Sequence, residues 1–285
     1  MNDKCHKRTA IIGAGMAGLL AAINLKKAKR EFMVFEKADS LGGTWRDNRY
    51  PGLSCDVPAH AYTYSFAPYA EWNAYHATGP EIKCYFEKVA GDYGITPFIH
   101  FNTEITACHF QEASNNWELT DAYGENHIFD IVIVASGVLH HPSTPDITGL
   151  DDFQGSCFHS AQWEDDLNLE NKNIGIIGCG SSGIQIATAL TSVANQLVHF
   201  QRSPQWIMPV EQFNCVPGDP IRIEWVDMAR SGSNDKTANI TSTKSRTGPG
   251  IDGLEMPQFI NNAQVRGHNG FYQVNNWGAT STQKS

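Results

Sequence analysis

The sequence lacks the patterns of three common classes of protein. None of its seven cysteines is paired at the CxxC spacing that is typical of a zinc site or a redox dithiol. No apolar run reaches the roughly 18 residues that are needed to span a bilayer. The formal net charge is −9, and no basic stripe is present that would hold a nucleic-acid backbone. We therefore expect no metal site, no membrane span and no nucleic-acid partner.

The N-terminus also lacks the apolar segment of a secretory signal, because its charged residues lead directly into a strand and a glycine turn. Scattered, unpaired cysteines are typical of a reducing compartment, so the expected location is the cytoplasm. A chain of 285 residues, 41% of them hydrophobic, can form one or two domains with a sizeable core.

What the sequence does contain is a βαβ pattern at residues 8–37. The apolar TAII segment predicts a buried parallel strand, a helix is predicted over 16–29, and FMVFE predicts the next strand. Between the first strand and the helix lies 13-GAGMAG-18, a GxGxxG turn. Such a turn is specific only when a strand precedes it, a helix follows it and an acidic residue comes about 20 positions later. All three conditions are met here.

The three glycines of this turn, Met16 and the later Glu36 have predicted roles in binding a dinucleotide. Gly13 permits the tight turn, Gly15 lets the backbone approach a pyrophosphate, and Gly18 lets helix and strand pack closely. Met16 begins the helix, whose N–H groups face the phosphates. Glu36 ends the second strand, where its carboxylate can accept hydrogen bonds from a ribose.

A second turn of the same kind occurs in 174-IGIIGCGSSGIQIA-187. Its predicted phosphate-binding residues are Gly178, Gly180, Ser181, Ser182 and Gly183. No acid follows the next strand; Arg202 and Ser203 stand there instead, and a guanidinium can hold a 2′-phosphate. The first turn therefore predicts an FAD site and the second an NADP site, which together indicate a flavoprotein reduced by NADPH.

The predicted fold class is α/β, with two dinucleotide-binding, Rossmann-like domains of which the second is incomplete. Residues 40–80 are rich in glycine, proline and aromatics, which is typical of a functional loop, and a helix is predicted around 80–93. The predicted organisation is an FAD-binding domain (1–150), a linker (151–172), the start of an NADP-binding domain (173–210) and an unassigned tail (211–285). Within the tail, 231–250 has the composition of a disordered segment.

Taken together, these motifs resemble the flavin-dependent monooxygenases, most closely the type I Baeyer–Villiger monooxygenases. The resemblance covers about residues 8–210. Its most specific part is the pair of glycine turns flanking an FxGxxxHxxxW pattern, supported by the following segments: GGTW at 42–45, YPGLSCDVPAHAYTYSF at 50–66 and VIVASGVLHHPSTPDITG at 132–149.

In that family the FxGxxxHxxxW segment links the two nucleotide domains and couples their movement to catalysis. The matching residues are Phe153, Gly155, His159 and Trp163. Phe153 and Trp163 are expected to anchor the linker by burial, Gly155 to allow a bend, and His159 to form a hydrogen bond across the joint. Trp163, together with Asp56, favours the Baeyer–Villiger branch over the branch that oxidises nitrogen and sulfur.

The resemblance also implies a set of cofactor contacts. Glu36 corresponds to the FAD ribose ligand. Residues that correspond to the lining of the FAD site are Thr44, Trp45, Asp56, Tyr62 and, through its backbone, Ile105. Those that correspond to the strip meeting the nicotinamide are Ser54, Cys55 and Asp56.

The implied reaction uses FAD, NADPH and O₂ to turn a small-molecule ketone into an ester or lactone through a C4a-peroxyflavin. Asp56 and His159 are the candidate catalytic residues, with Asp56 expected to orient an arginine beside the flavin. The family supplies that arginine from later in the NADP domain, and here no local pattern identifies it among the candidates Arg222, Arg230, Arg246 and Arg266.

Three alternatives remain open at this stage. One is a flavin-containing monooxygenase that oxidises nitrogen or sulfur, and another is a truncated, catalytically inactive flavoprotein fragment. A flavin disulfide reductase is disfavoured because the sequence has no cysteine pair.

Overall fold

A computed structural model describes residues 7–203, together with the backbone of 224–226, 263–267 and 270–274. The segment 231–250 that the sequence predicts to be disordered lies outside these residues. The chain divides into two compact units, one made of Met1–Ser54 with Thr78–Gln205 and the other of Cys55–Ala77 with Trp206–Ser285. Both glycine turns lie in the first unit, so the predicted domain boundaries stay predictions.

The first unit alternates strands and helices, as the sequence predicts. Its elements in chain order are β1 (Thr9–Ile12), α1 (Met16–Lys27), β2 (Phe32–Phe35), α2 (Thr44–Asp47), α3 (Gly79–Asp92), β3 (Ile99–His100), β4 (Ile105–Gln111), β5 (Asn116–Asp121), β6 (Asn126–Phe129), β7 (Ile131–Val134), β8 (Asn173–Ile177), α4 (Ser181–Leu190) and β9 (Gln196–Phe200). Short 3-10 helices occur at Thr96–Phe98, Leu150–Asp152 and Ser160–Gln162.

A parallel sheet in the order β3-β2-β1-β7 positions the first glycine turn. β1 is its central strand, and Ile12 pairs with Phe35 on one side and Val134 on the other. β4, β5 and β6 form a separate antiparallel sheet. The two sheets share a core cluster of Ala10, Phe35, Leu119 and Phe129, which holds the end of β2 in place.

Cations and caps fix the ends of the helices around this sheet. Lys26, in the last turn of α1, donates through Nζ to the carbonyl oxygens of Tyr93 at 2.8 Å and Gly94 at 2.7 Å. These carbonyls follow the end of α3, so one ammonium group stabilises the C-terminus of a neighbouring helix. α3 begins with a capping box, in which the carboxylate of Glu81 accepts from the backbone N–H of Thr78.

The second glycine turn is held by a two-stranded parallel sheet, β8-β9, in which Ile177 pairs with Phe200. α4 packs one face against this pair, and Ile186 and Leu190 are buried there. Ile177 and Phe200 are 57% and 55% exposed. This pair of strands is what the sequence predicts as the start of a second Rossmann-like domain, and the predicted α/β class is confirmed.

The second unit contains a 3-10 helix, Ala59–Ala61, and a fully buried Trp72. Its backbone also forms an antiparallel sheet of β10 (Glu224–Val226), β11 (Ala263–Gly267) and β12 (Gly270–Val274). The sequence did not predict these strands, because their apolar residues follow no sustained alternation. Among the described residues, no helix is long and apolar enough to cross a membrane.

Candidate dinucleotide-binding site

The first glycine turn has a geometry that only glycine tolerates. Gly13 has φ of +103°, and a Cβ placed there would lie 2.5 Å from the carbonyl oxygen of Ala135. A Cβ on Gly18 would lie 1.9 Å from the carbonyl oxygen of Gly13. The N–H of Gly13 donates to the carbonyl of Phe35 at 2.8 Å, which ties the turn to the end of β2. These distances explain why both positions need glycine, and the role of Gly13 and Gly18 in binding a dinucleotide stays a prediction.

The start of α1 offers its backbone to a ligand. Gly15 is the N-cap residue, no side chain caps the helix, and the first turn carries no acidic residue. A Cβ on Gly15 would lie 3.6 Å from the Cα of Gly43, so a second loop lies over the turn. Met16, the first helical residue, is 47% exposed. A helix N-terminus that no side chain caps, at the positive end of the helix dipole, fits a pyrophosphate.

Glu36 is the polar centre of this site. It is buried, with 4% of its surface exposed. One carboxylate oxygen accepts from the N–H of Ala14 at 2.8 Å; the other accepts from the N–H of Ala38 at 3.0 Å and from Nη1 of Arg46 at 2.8 Å. The carboxylate is therefore fixed in place at the end of β2, where a ribose would meet it.

Arg46 is the residue of this site that the sequence did not predict. Its guanidinium also contacts Asp47, and its Nη1 donates to the carbonyl of Ser40 at 2.6 Å. Burial opposes the charge of Arg46, but the hydrogen bond to Asp47 and the charges of Glu36 and Asp47 raise its pKa above the ordinary arginine value. A signal existed in the sequence, since the arginine directly follows GGTW, but only the fold brings it to Glu36.

The residues predicted to line the flavin and to meet the nicotinamide fall in both units. In the first unit, Thr44 begins α2 and is exposed. The backbone N–H of Trp45 donates to the carbonyl of Gly42 at 3.2 Å. Ile105 begins β4 and packs against the core cluster at the end of β2. Ser54, the last residue before the second unit, accepts a hydrogen bond from Gln185 through its carbonyl at 2.9 Å.

The remaining predicted residues of the lining lie in the second unit. Cys55 is buried, and this burial raises the pKa of its thiol to about 11, so the thiol stays protonated at neutral pH. Asp56 is exposed, and Tyr62 is half-buried at the end of the 3-10 helix. Their roles at the flavin and the nicotinamide stay predictions.

The second glycine turn repeats the first. Gly178 has φ of +102°, and its N–H donates to the carbonyl of Phe200 at 2.9 Å. A Cβ on Gly183 would lie 2.2 Å from the carbonyl oxygen of Gly178, whereas one on Gly180 would meet nothing within 4 Å. Gly180 is the N-cap residue of α4, which Ser181 begins. This turn too can accept a phosphate at a helix N-terminus.

The strand register shows which residues are equivalent in the two turns. Phe35 and Phe200 each accept a hydrogen bond from the first glycine of their turn. Glu36 therefore corresponds to Gln201, and the next position is occupied by Arg202, which is exposed. The carbonyl of Ser203 accepts from the thiol of Cys179 at 3.2 Å. The second turn thus has an amide and a cation where the first has a buried carboxylate.

The FxGxxxHxxxW segment is anchored at its tryptophan. Trp163 packs against the cluster of Tyr50, Ile186 and Leu190, and its ring contacts Phe158 edge-on at 5.3 Å. The prediction that Phe153 is also buried is wrong: the residue is 61% exposed, with its ring folded over Gly155. Trp163 occupies the apolar cluster that this segment contacts, while the ring of Phe153 lies against Gly155.

His159 has a local role in this segment. Its Nδ1 accepts from the N–H of Ala161 at 3.1 Å, so the imidazole caps the short helix Ser160–Gln162. The expected hydrogen bond across the joint is not among the contacts of His159 within the described residues. The cap instead fixes the turn that delivers Trp163 to its cluster.

One group of metal-ligand side chains lies elsewhere, in the β5–β6 hairpin. Asp121, Glu125 and His127 place ligand atoms within 4.8 Å of one another. Oδ1 of Asp121 accepts from the N–H groups of Tyr123 and Glu125, and Oδ2 contacts Nε2 of His127 at 3.0 Å. The hydrogen bond from His127 lowers the pKa of Asp121. Both carboxylate oxygens of Asp121 therefore accept hydrogen bonds within the hairpin, and the group stabilises the connection between β5 and β6.

Comparison with known proteins gives a consistent family. The model of the family described as "Flavin-binding monooxygenase-like" matches residues 6–224. A Baeyer–Villiger monooxygenase from Streptomyces coelicolor is 42% identical over 205 residues, which are 72% of this chain and 39% of that protein. The cyclohexanone 1,2-monooxygenase of an Acinetobacter species is 35% identical over 215 residues, or 74% of this chain and 40% of that protein.

Solved structures agree with these relatives. An open crystal structure of cyclohexanone monooxygenase has a TM-score of 0.71 and 34% identity, covering 74% of this chain and 42% of the other. The complex of OTEMO with FAD and NADP has a TM-score of 0.69 and 32% identity, covering 73% of this chain and 41% of the other. The chain therefore spans about two fifths of the length of the relatives it matches.

Proposed function

Since the chain belongs to the flavin-binding monooxygenase-like family, we propose that its first glycine turn binds FAD and its second binds NADPH, as the cofactor-binding part of a Baeyer–Villiger-type oxygenase. The observation that carries this proposal is the repeated turn. Gly18 and Gly183 both lie against the carbonyl of the first glycine, and each turn opens a helix with an uncapped N-terminus. Two such turns in one chain suit two dinucleotides.

The first turn suits FAD because of Glu36. A carboxylate held by two backbone N–H groups and Arg46 has a fixed position and a lone pair for a ribose hydroxyl. A free 2′-phosphate would be repelled there by the negative charge. When bound, FAD supplies the redox and oxygen chemistry of such enzymes, while the chain's residues bind, orient and shield it.

The second turn suits NADPH because of Gln201 and Arg202. Neither carries negative charge, and the exposed guanidinium of Arg202 can hold a phosphate with two parallel hydrogen bonds. A dinucleotide with a 2′-phosphate is therefore favoured over one with a free hydroxyl.

The proposed substrate is a small-molecule ketone, which would become an ester or lactone by insertion of one atom of O₂, while the two electrons of NADPH reduce the other atom to water. The support comes from the relatives: cyclohexanone 1,2-monooxygenase is among the similar proteins, and one similar structure of cyclohexanone monooxygenase holds ε-caprolactone, the seven-membered lactone that insertion of one oxygen atom into cyclohexanone gives. Asp56, exposed in the second unit, is the proposed residue that orients a cation beside the flavin. His159 is proposed to position the linker, because its imidazole caps the turn that leads to Trp163.

Cofactor binding and oxygenation are tested separately. The purified chain is titrated with FAD and then with NADP⁺ by calorimetry, and wild type is expected to bind both. Gly91→Ala is the control for the glycine-turn variants, and it is expected to bind both cofactors as wild type does, because its Cβ would meet nothing within 4 Å. Failure to bind FAD would sink the proposal.

Oxygenation is tested by adding NADPH, air and either cyclohexanone or a thioether of similar size. Lactone formation supports the ketone reaction, and a sulfoxide alone supports the branch that oxidises sulfur. Binding of both cofactors with neither product would make the chain a binding part without oxygenase activity.

A further inference from the structure

The loop that follows α2 lies against the helix of the second glycine turn. We define residues 49–54 as the docking segment. Tyr50 is buried, and its ring packs with Ile186 and Leu190 of α4. The docking segment therefore joins the part of the chain that builds the first turn to the part that builds the second.

A directed chain of hydrogen bonds runs through this contact. The hydroxyl of Ser182, in the second glycine turn, donates to the hydroxyl of Tyr50 at 3.0 Å. Tyr50 in turn donates to Oε1 of Gln185 at 3.1 Å, and Nε2 of Gln185 donates to the carbonyl of Ser54 at 2.9 Å. Tyr50 and Gln185 each donate one hydrogen bond and accept another, so the bonds strengthen one another in a partly buried setting.

The backbone of the docking segment also lies close to α4. Gly52 has φ of +81°, and a Cβ there would lie 2.7 Å from the carbonyl oxygen of Gln185 and 3.1 Å from the Cβ of Ala189. On the outer side, Arg49 forms an ion pair with Asp165 at 2.5 Å, just after Trp163. The docking segment is thus fixed at both ends, and the Tyr50 hydroxyl is its contact with the turn itself.

We propose that Tyr50 is a positioning residue for the second dinucleotide. Its hydroxyl holds the side chain of Ser182 away from the ligand, so Ser182 serves the phosphate through its backbone N–H at the start of α4. Without this bond the Ser182 hydroxyl competes for the same backbone groups, and the turn loses order. The inference rests on the proposed function, since it concerns the site assigned to NADPH.

The physical logic follows from the way in which helix N-termini bind anions. The turn contributes N–H groups whose directions are set by the backbone, and small errors in direction weaken each bond. Tyr50 reaches the turn from residues that lie next to α2, which itself follows the loop over Gly15. The order of the second turn therefore depends on residues that do not contact its ligand.

The test compares wild type with Tyr50→Phe, which removes the hydroxyl and keeps the buried ring. NADP⁺ affinity is expected to fall about five- to tenfold, as for the loss of one neutral hydrogen bond. FAD affinity and the melting temperature should change little. Tyr123→Phe is the matched control, because Tyr123 is 79% exposed and lies far in the sequence from both Tyr50 and the second glycine turn.

A second readout needs no ligand. Cys179 lies inside the turn, so its alkylation rate, followed by peptide mass spectrometry, reports the order of the turn. The rate should rise several-fold in Tyr50→Phe, while the rate of the exposed Cys84 stays constant. In a double-mutant cycle, Ser182→Ala together with Tyr50→Phe should be no worse than either alone.

Each outcome decides the matter. Wild type and Tyr50→Phe with equal affinity for NADP⁺ would overturn the positioning role, as would additive effects in the cycle. If wild type itself binds no NADP⁺, the proposed function fails at the second site. The positioning role for a dinucleotide then falls with it, and the Cys179 rate tests only whether Tyr50 orders the turn: a rise supports that ordering, and an unchanged rate overturns it.

Discussion

The two glycine turns have the same backbone conformation but differ in the strands and residues that surround them. The first lies at a central strand with neighbours on both sides, is covered by Gly43, and ends at a buried glutamate. The second lies on a two-stranded sheet, leaves open space at Gly180, and ends at Gln201 and Arg202. In the proposed function, the shared part binds a pyrophosphate and the surroundings select the nucleotide.

The difference teaches where specificity is built. A buried carboxylate needs partners, and Glu36 receives them from two N–H groups and Arg46. An exposed guanidinium such as that of Arg202 needs no protein partner, because water solvates it. The first site therefore has its central carboxylate paired within the protein, while the second offers an exposed guanidinium.

The largest expected effect comes from adding a methyl group at the close contact of each turn. Gly18→Ala should weaken FAD binding roughly 100-fold, since overpacking typically costs about 1–3 kcal/mol and this Cβ meets a backbone oxygen. Gly183→Ala should weaken NADP⁺ binding to a similar extent and leave FAD binding intact. Calorimetry of both variants measures this, with Gly91→Ala as control. Loss of the same ligand in both variants would contradict two separate sites.

The next largest effect concerns the buried ion pair that only the first turn has. Glu36→Gln should lower the free energy of unfolding by about 2 kcal/mol, because charge-assisted hydrogen bonds are lost and the largely buried Arg46 keeps only Asp47 as an anionic partner. Urea denaturation followed by circular dichroism measures this. The double variant Glu36→Gln with Arg46→Met should recover part of the loss, and no recovery would argue against the pair.

A smaller effect should come from making the second turn resemble the first. Gln201→Glu places a carboxylate beside the proposed 2′-phosphate and should cut NADP⁺ affinity about tenfold, or ~1.4 kcal/mol. Affinity for NAD⁺ should stay constant, which makes it the internal control. Arg202→Ala should act in the same direction. Equal losses for both dinucleotides would show that residue 201 does not face the 2′ position.

The smallest effect concerns His60, which lies in the second unit, whereas both glycine turns lie in the first. Burial lowers the pKa of His60, whose Nδ1 has no hydrogen-bond partner within the described residues. The unfolded chain then binds more protons than the folded one below about pH 6.5, so stability falls as the pH drops, by at most about 1.4 kcal/mol per pH unit. Melting curves should lose this slope in His60→Phe and keep it in His109→Gln, whose side chain is exposed.

The local parts of this fold could be read from the sequence. β1, α1 and β2 follow from apolar periodicity, and the glycines follow from spacing that has a steric cause. Glu36 could be placed because a strand end fixes it. These predictions succeed because each depends on residues within about 30 positions, where short-range geometry decides.

Contacts between distant segments could not be read in this way. Arg46 and Tyr50 stand in an irregular loop, and nothing in their neighbours indicates Glu36 or Ser182 as a partner. Phe153 was expected to be buried because aromatic residues usually are, yet Trp163 takes the apolar surface that this segment reaches. Which of two aromatics is buried depends on loop direction, and this is a property of the whole fold.

The pairing of β1 with β7 has a consequence for synthesis in the cell. The N–H of Arg8, just before β1, is bound by Asp130 across 122 positions, whereas β8 finds β9 directly after a single helix. At roughly 5–20 residues per second, a nascent chain would hold β1 for about 6–24 s before β7 leaves the ribosome. Through that interval the TAII segment is an apolar strand with one edge open, so a slower translation rate would lengthen its dependence on chaperones.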